Sequence, residues 1–164
     1  PPPPPTPPRL NCRRQRQMCI RDSIKRVLKP DGFGLIHSIG RSFSDISDPW
    51  ITKYIFPGGH VPSLSDAMAV FQPHKFSVLD VENLRPHYAR TCAAWLANFE
   101  AAADQVEDMY GEEFVRMWRL YLAGASAGFE SGTLQLFQIV FTPQGNADVP
   151  WTRDYQYPRA ADRH

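Results

Sequence analysis

Gly32-Phe33-Gly34-Leu35-Ile36-His37-Ser38-Ile39-Gly40, followed shortly by Asp48-Pro49-Trp50-Ile51-Thr52-Lys53-Tyr54-Ile55-Phe56-Pro57-Gly58-Gly59, is the stretch that decides how this chain is read. Residues 33–39 are apolar with few interruptions, the pattern of a strand buried on both faces of a mostly parallel sheet, and they predict a central strand. His37 stands toward the C-terminal mouth of that strand, where open α/β sheets hold their ligands. Residues 40–62 carry Gly, Pro, Ser and Asp with interspersed aromatics and predict a long ordered loop, a segment type that often covers a site. Strand, histidine and aromatic loop together predict a substrate pocket.

Working outward, Ser63-Leu64-Ser65-Asp66 predicts a helix running to about Phe71, with Ser63 as N-cap and Asp66 closing a near capping box. After Pro73, a second strand is expected over Phe76, Val78 and Val81, ending near Glu82. Residues 86–109 place Tyr88, Cys92, Trp95 and Phe99 at helical spacing. A second helix from Glu112 to about Phe129 repeats the pattern with Phe114, Met117, Trp118, Tyr121, Leu122 and Ala125, and Gly111 between them is a C-terminal stop. Residues 134–142 are apolar, bounded by Gly132 and Pro143, and predict a last strand. Two strands, a helical pair and a closing strand make an incomplete α/β sheet with an unpaired edge.

A length of 164 residues with 43% hydrophobic and 12% aromatic content fits one globular domain. The formal net charge of +1 conceals a basic N-terminal region holding Arg9, Arg13, Arg14, Arg16, Arg21, Lys25, Arg26 and Lys29. No aromatics interleave with those arginines to stack bases, so a nucleic-acid partner is not expected. Residues 1–10 are nearly all proline and residues 11–23 lack periodicity, which separates a non-native-looking segment, 1–23, from the body, 24–157, and a polar tail, 158–164. Arg14-Gln15-Arg16-Gln17-Met18-Cys19-Ile20-Arg21-Asp22-Ser23 looks like translated sequencing-adapter read-through, so the natural sequence is expected to enter at about Ile24. With no spanning run and no signal-peptide core, a cytoplasmic protein is expected. Cys12, Cys19 and Cys92 are odd in number and lack C-x-x-C spacing, which predicts neither disulfides nor a metal site. No glycine-rich nucleotide loop occurs, since Gly32-Phe33-Gly34 is a turn feeding a strand, and the cofactor-binding residues stay unassigned.

The histidine-isoleucine pair and the D-P-W-I-x-K-Y-I-F-P-G-G block resemble the signature of the cyclopropane-fatty-acyl-phospholipid synthase family, over about residues 24–157. Ile24-Lys25-Arg26-Val27-Leu28-Lys29-Pro30-Asp31-Gly32 is similar to the turn before the fifth strand of class I methyltransferases. The resemblance extends to His87-Tyr88-Ala89-Arg90-Thr91, to residues 114–122, to Leu136-Phe137-Gln138-Ile139 and to the closing residues 149–155. It implies the C-terminal half of a Rossmann-like methyltransferase sheet with a helical pair. The implied function is transfer of a methylene or methyl group from S-adenosylmethionine to the double bond of an unsaturated acyl chain. Phospholipid at the inner membrane face would be the partner, homodimerisation is left open, and the adenosylmethionine site would lie upstream.

In that family a bicarbonate ion accepts the proton, and the matching positions here are His37, the Ile39 backbone and Tyr88. The family's other two bicarbonate contacts, a cysteine and a glutamate, have no counterpart, and Cys92 stands where leucine is common. From the residues alone, His37 reads equally as a core histidine and Tyr88 as core packing. Trp50, Tyr54, Ile55 and Phe56 are expected to line an acyl pocket, or else to be stapled to the core, while Phe114, Trp118 and Tyr121 could also touch the acyl chain but at helical spacing read as core. Rival functions are a related fatty-acid C-methyltransferase and a non-catalytic lipid-binding fragment; as a truncated chain, the segment alone is expected to be inactive.

Overall fold

The computed structural model describes residues 24 and 26–157. The expectations for residues 1–23, including Cys12 and Cys19, and for the tail 158–164 lie outside them. The strands are β1 (Gly34–Gly40), β2 (Phe76–Asn83) and β3 (Gln135–Pro143). The helices are α1 (Leu64–Met68), α2 (Arg85–Ala101), α3 (Ala103–Tyr110) and α4 (Glu112–Ser131), with a π-helical turn at Ile51–Ile55 and short 3₁₀ turns at Gln72–His74 and Arg153–Gln156.

The sheet order is β1-β3-β2, and β3 runs antiparallel to both neighbours. Among the described residues β1 lies at an edge and β3 at the centre of an antiparallel piece, whereas the expectation for residues 33–39 concerns the larger sheet of which this is a part. Burial follows that placement. Leu136, Phe137, Ile139 and Phe141 of β3 are all buried, whereas Leu35 of β1 is 57% exposed and His37 is exposed. An apolar run tells how much of a strand can be buried, but not which neighbours bury it.

The two faces of the sheet carry separate cores. On one face Ile36, Phe137, Ile139 and Phe141 meet Phe71 and the apolar side of α1, with the Phe71 and Phe141 rings 4.9 Å apart. On the other, Leu136 and Ile39 lie under α2 and α4, which contribute Ala89, Cys92, Tyr88, Ala125 and Phe129. Gly34 sits opposite Phe141, where a Cβ would come within 2.3 Å of the ring, so only glycine lets β1 cross there.

The local signals act as their chemistry requires. Ser63 caps α1: its hydroxyl accepts from the Asp66 N–H while the Asp66 carboxylate accepts from the Ser63 N–H. The helix stops at Met68, short of Phe71. The Asn83 side chain accepts from the Arg85 N–H and Pro86 follows in the first turn, which starts α2 where β2 ends. The predicted helix over 86–109 breaks at Ala102, whose N–H closes onto the Phe99 carbonyl at 3.1 Å, and α3 leaves in a new direction to pack on α4. Gly111 (φ 84°) separates α3 from α4, and Gly132 (φ 86°) ends α4 in the left-handed region. Arg85 reaches back to donate to the Phe129 and Glu130 carbonyls, satisfying the end of α4 and tying it to the start of α2.

Candidate functional site

The free edge of β1 can be read from the ladder. The Leu84 N–H donates to the Leu136 carbonyl at 2.8 Å, so the backbone groups of Leu136 point toward β2. Ile39 faces Leu136 across the β1–β3 ladder, which makes that pair the non-hydrogen-bonded kind and turns the Ile39 N–H and C=O away from β3. The alternation confirms it two residues on. Arg41 donates to Pro62 and accepts from Leu64 on that same outer side, in a parallel bridge to Ser63. Below this bridge, the outward N–H groups of Ile39 and His37 have no strand partner among the described residues.

His37 and Ile39 share a face of β1, two residues apart. Ile39 packs against the cluster that also holds Tyr88, Cys92 and Phe129, so the structure gathers Ile39 and Tyr88 in one core and sets His37 beside it on the same face. The Tyr88 ring stands edge-on to Phe129 at 4.8 Å and to Trp95 at 5.7 Å. Burial, and secondarily the neighbouring Cys92, pushes the Tyr88 phenol above its ordinary value. It is therefore a neutral hydroxyl, able to donate, across the physiological range. The exposure of His37 excludes a plain core histidine. Its Nδ1 lies 3.1 Å from Gln138 Nε2 of the facing strand. His87 is exposed, as its position on α2 predicts.

The aromatic block builds itself before it builds anything else. Asp48 Oδ1 accepts from the N–H groups of Trp50 and Ile51, and Phe56 donates its N–H to the Ile51 carbonyl to close the π-helical turn. Gly58 takes φ +70°, and a Cβ on Gly59 would lie 2.8 Å from that of Phe56. Asp, Gly and Gly in this motif therefore serve the loop's own backbone. What it displays is Trp50 against Tyr54 (5.9 Å), with Ile55 half-buried, and Phe56 edge-on to Tyr121 of α4 (5.8 Å).

Tyr121 continues a ladder along α4, with Trp118 at 5.1 Å from it and Phe114 stacked on Trp118 at 5.9 Å. These three are only half-buried, a correction to their reading as core; the core of α4 is Val115, Leu122, Ser126 and Phe129. The helix turns one stripe toward α2 and the Leu136 cluster and an adjacent aromatic one whose Tyr121 meets the loop, and spacing alone does not separate two neighbouring stripes. Trp95, expected in the stripe of α2, is 46% exposed. Burial first, then Cys92 and Tyr88, raises the Tyr121 phenol, which places it electrostatically beside the Tyr88 cluster. Gln138 was not singled out by the sequence. For Gln138 the signal was there, a polar residue inside the otherwise apolar run of β3.

The family model described as mycolic acid cyclopropane synthetase matches residues 15–139. The chain belongs to this family. It is 40% identical over 120 residues to the cyclopropane-fatty-acyl-phospholipid synthase of Escherichia coli, covering 73% of this chain and 31% of that protein. It is 38% identical over 124 residues to a probable fatty acid methyltransferase of Pseudomonas putida, covering 74% and 32%. Among solved structures, mycolic acid cyclopropane synthase CmaA1 complexed with SAH and CTAB superposes with a TM-score of 0.69 at 26% identity, covering 77% of this chain and 50% of that one. The cyclopropane synthase MmaA2 from Mycobacterium tuberculosis superposes at 0.71 with 23% identity, over the same shares of the two chains. The chain thus spans about a third of the length of these curated relatives and half of the solved chains. Its fold is the matching part of a class I S-adenosylmethionine-dependent methyltransferase, as the sequence predicted.

Among the described residues no helix is long and apolar enough to cross a membrane, and no group of three or more His, Cys, Asp or Glu could hold a metal ion.

Proposed function

We propose that this chain is the C-terminal part of an enzyme that alkylates the double bond of an unsaturated acyl chain, with a bicarbonate ion at His37, Ile39 and Tyr88 as proton acceptor. The observation that carries the reading is the placement of three hydrogen-bond donors around one stretch of β1. Ile39 and His37 share one face of β1, and Tyr88, its phenol raised by burial, belongs to the cluster against which Ile39 packs. The uncharged Ile39 N–H and Tyr88 O–H suit an anion that must remain basic, because a full positive charge would lower its proton affinity.

S-adenosylmethionine would supply the methyl group as a sulfonium, and no contact to it is assigned to these residues. Alkylating an alkene leaves a cation that must lose a proton before water captures it, so the site has to be dry and contain a base. Bicarbonate, when bound, supplies that base. His37, the Ile39 amide and Tyr88 orient it, while the apolar cluster beneath them excludes water. The aromatic faces of Trp50, Tyr54 and Phe56 with Ile55, continued by Tyr121 and Trp118, form the wall along which the acyl chain lies. The relatives named for phospholipid and fatty-acid substrates support a lipid acyl chain, met at the cytoplasmic membrane surface.

The test is lipid alkylation by the intact enzyme that carries this segment, with and without added bicarbonate. Tyr88→Phe and His37→Gln are each expected to lower turnover by about 10²- to 10³-fold, the usual consequence of removing one donor to a developing charge, and to abolish the response to bicarbonate. Activity within about two-fold of the parent for both variants refutes the assignment, since each donor should be worth several-fold more. Mass spectrometry of the product separates ring closure from simple methyl branching, the outcome suggested by the fatty acid methyltransferase relative.

A further inference from the structure

The side chain of Gln138 meets His37 across the sheet in a way that the proposed anion site does not explain. The two residues are directly opposed in the β1–β3 register, two positions along from the Ile39–Leu136 pair, so theirs is also a non-hydrogen-bonded pair. In such pairs the strands approach closely and the side chains lie side by side. Gln138 Nε2 is 3.1 Å from His37 Nδ1. With the amide nitrogen turned to the ring, as it stands, Nδ1 is the acceptor and the proton of a neutral imidazole sits on Nε2. Gln138 is half-buried on β3, which is paired on both sides, whereas His37 is exposed, so the anchored amide is the partner that orients the ring. Glu82 of β2 faces Gln138 from the other side, so one row of polar residues crosses all three strands between the apolar neighbours Phe137 and Ile139 of β3.

We propose that Gln138 is a positioning residue, which holds His37 as its Nε2–H tautomer and presents that N–H to the anion. The presentation step rests on the bicarbonate reading, whereas the tautomer does not. Without the amide donor, either ring nitrogen can carry the proton, and the Nδ1–H fraction would turn a lone pair toward a negative charge. Gln138 thus acts on the anion through His37, with no contact of its own.

Long-range ¹⁵N–¹H correlation spectra of the full chain, labelled in histidine and recorded where imidazoles are neutral, report the tautomer of His37 directly. His37→Asn identifies its signals among the five histidines. The Nε2–H form should dominate in the parent. Gln138→Glu, which keeps the shape and can only accept a hydrogen bond, should transfer the proton to Nδ1, and Gln138→Leu should give a mixture of the two forms. A parent ring protonated on Nδ1 overturns the proposal, as does an unchanged tautomer in a Gln138→Glu chain whose sheet amide signals are intact. If neither variant folds, the parent tautomer still decides. Titration with bicarbonate should shift the His37 Nε2 signal in the parent and bind at least five-fold more weakly to Gln138→Glu. A tautomer that responds to Gln138 while bicarbonate leaves His37 unmoved keeps the positioning role and removes the anion reading.

Discussion

Replacing Phe129 by alanine tests the packing on which the whole site depends. Phe129 is 1% exposed at the centre of the cluster that joins α2 and α4 to β3, touching Ala89, Cys92 and Leu136. Losing the ring removes its transfer free energy and leaves a cavity between two helices and a sheet, all three anchored elsewhere, so the site cannot collapse. The cost should be about 3–5 kcal/mol, the range for buried Phe→Ala changes. Against the roughly 5–15 kcal/mol that holds a domain of this kind together, this is a large fraction. Part of it belongs to Tyr88, whose ring stands at 75° and 4.8 Å from Phe129. A double-mutant cycle of Tyr88→Ala and Phe129→Ala should therefore show a coupling of about 0.5–1.5 kcal/mol. The assay is urea unfolding of the chain, followed by tryptophan fluorescence, with the shift in midpoint at constant slope giving the loss. A loss under about 1 kcal/mol, the typical value for an unremarkable substitution, would mean that α4 does not close over the sheet, and the gathering of Tyr88 with Ile39 would fall with it.

Two glycines should respond in opposite directions. Gly34→Ala puts a methyl group 2.3 Å from the Phe141 ring, itself wedged between Phe71 and Phe76, and should destabilise the chain by about 1–3 kcal/mol in the same unfolding assay. Gly124→Ala, on the exposed face of α4 with nothing within 4 Å, should stabilise it by about 0.5–1 kcal/mol; equal signs for the two would contradict the strand crossing. Burial raises the phenols of Tyr88 and Tyr121 above their ordinary value, so the folded state holds those protons more tightly than the unfolded one. The resulting stability is fully present below the ordinary tyrosine range and is lost as pH rises through the raised folded values. Alkaline unfolding should therefore be shallower in a Tyr88→Phe/Tyr121→Phe double variant, and an identical slope would place both rings in water.

The legible parts of this protein were those whose cause is local. Ser63 and Asp66 cap a helix because their side chains reach backbone groups three residues away, and Gly111 and Gly132 end helices because they alone accept positive φ cheaply. The apolar spacing of α2 and α4 was visible for the same reason, although Ala102, which carries no breaker signal, still divided the first of them. The family signature too was legible, and the structure explains part of it as self-support of a loop by Asp48, Gly58 and Gly59.

The sequence by itself determined the α/β class, the element types, the family and a short set of polar residues around one strand. Only the tertiary structure decided that β3 lies between β1 and β2 among the described residues, that Ile39 and Tyr88 pack on one cluster, that Phe56 of the loop meets Tyr121 of α4, and that Gln138 lies against His37. Each of these depends on contacts between residues distant in the chain, His37 and Gln138 being 101 positions apart. Periodicity states which face of an element is apolar, whereas the partner that covers it is set by how the elements pack together.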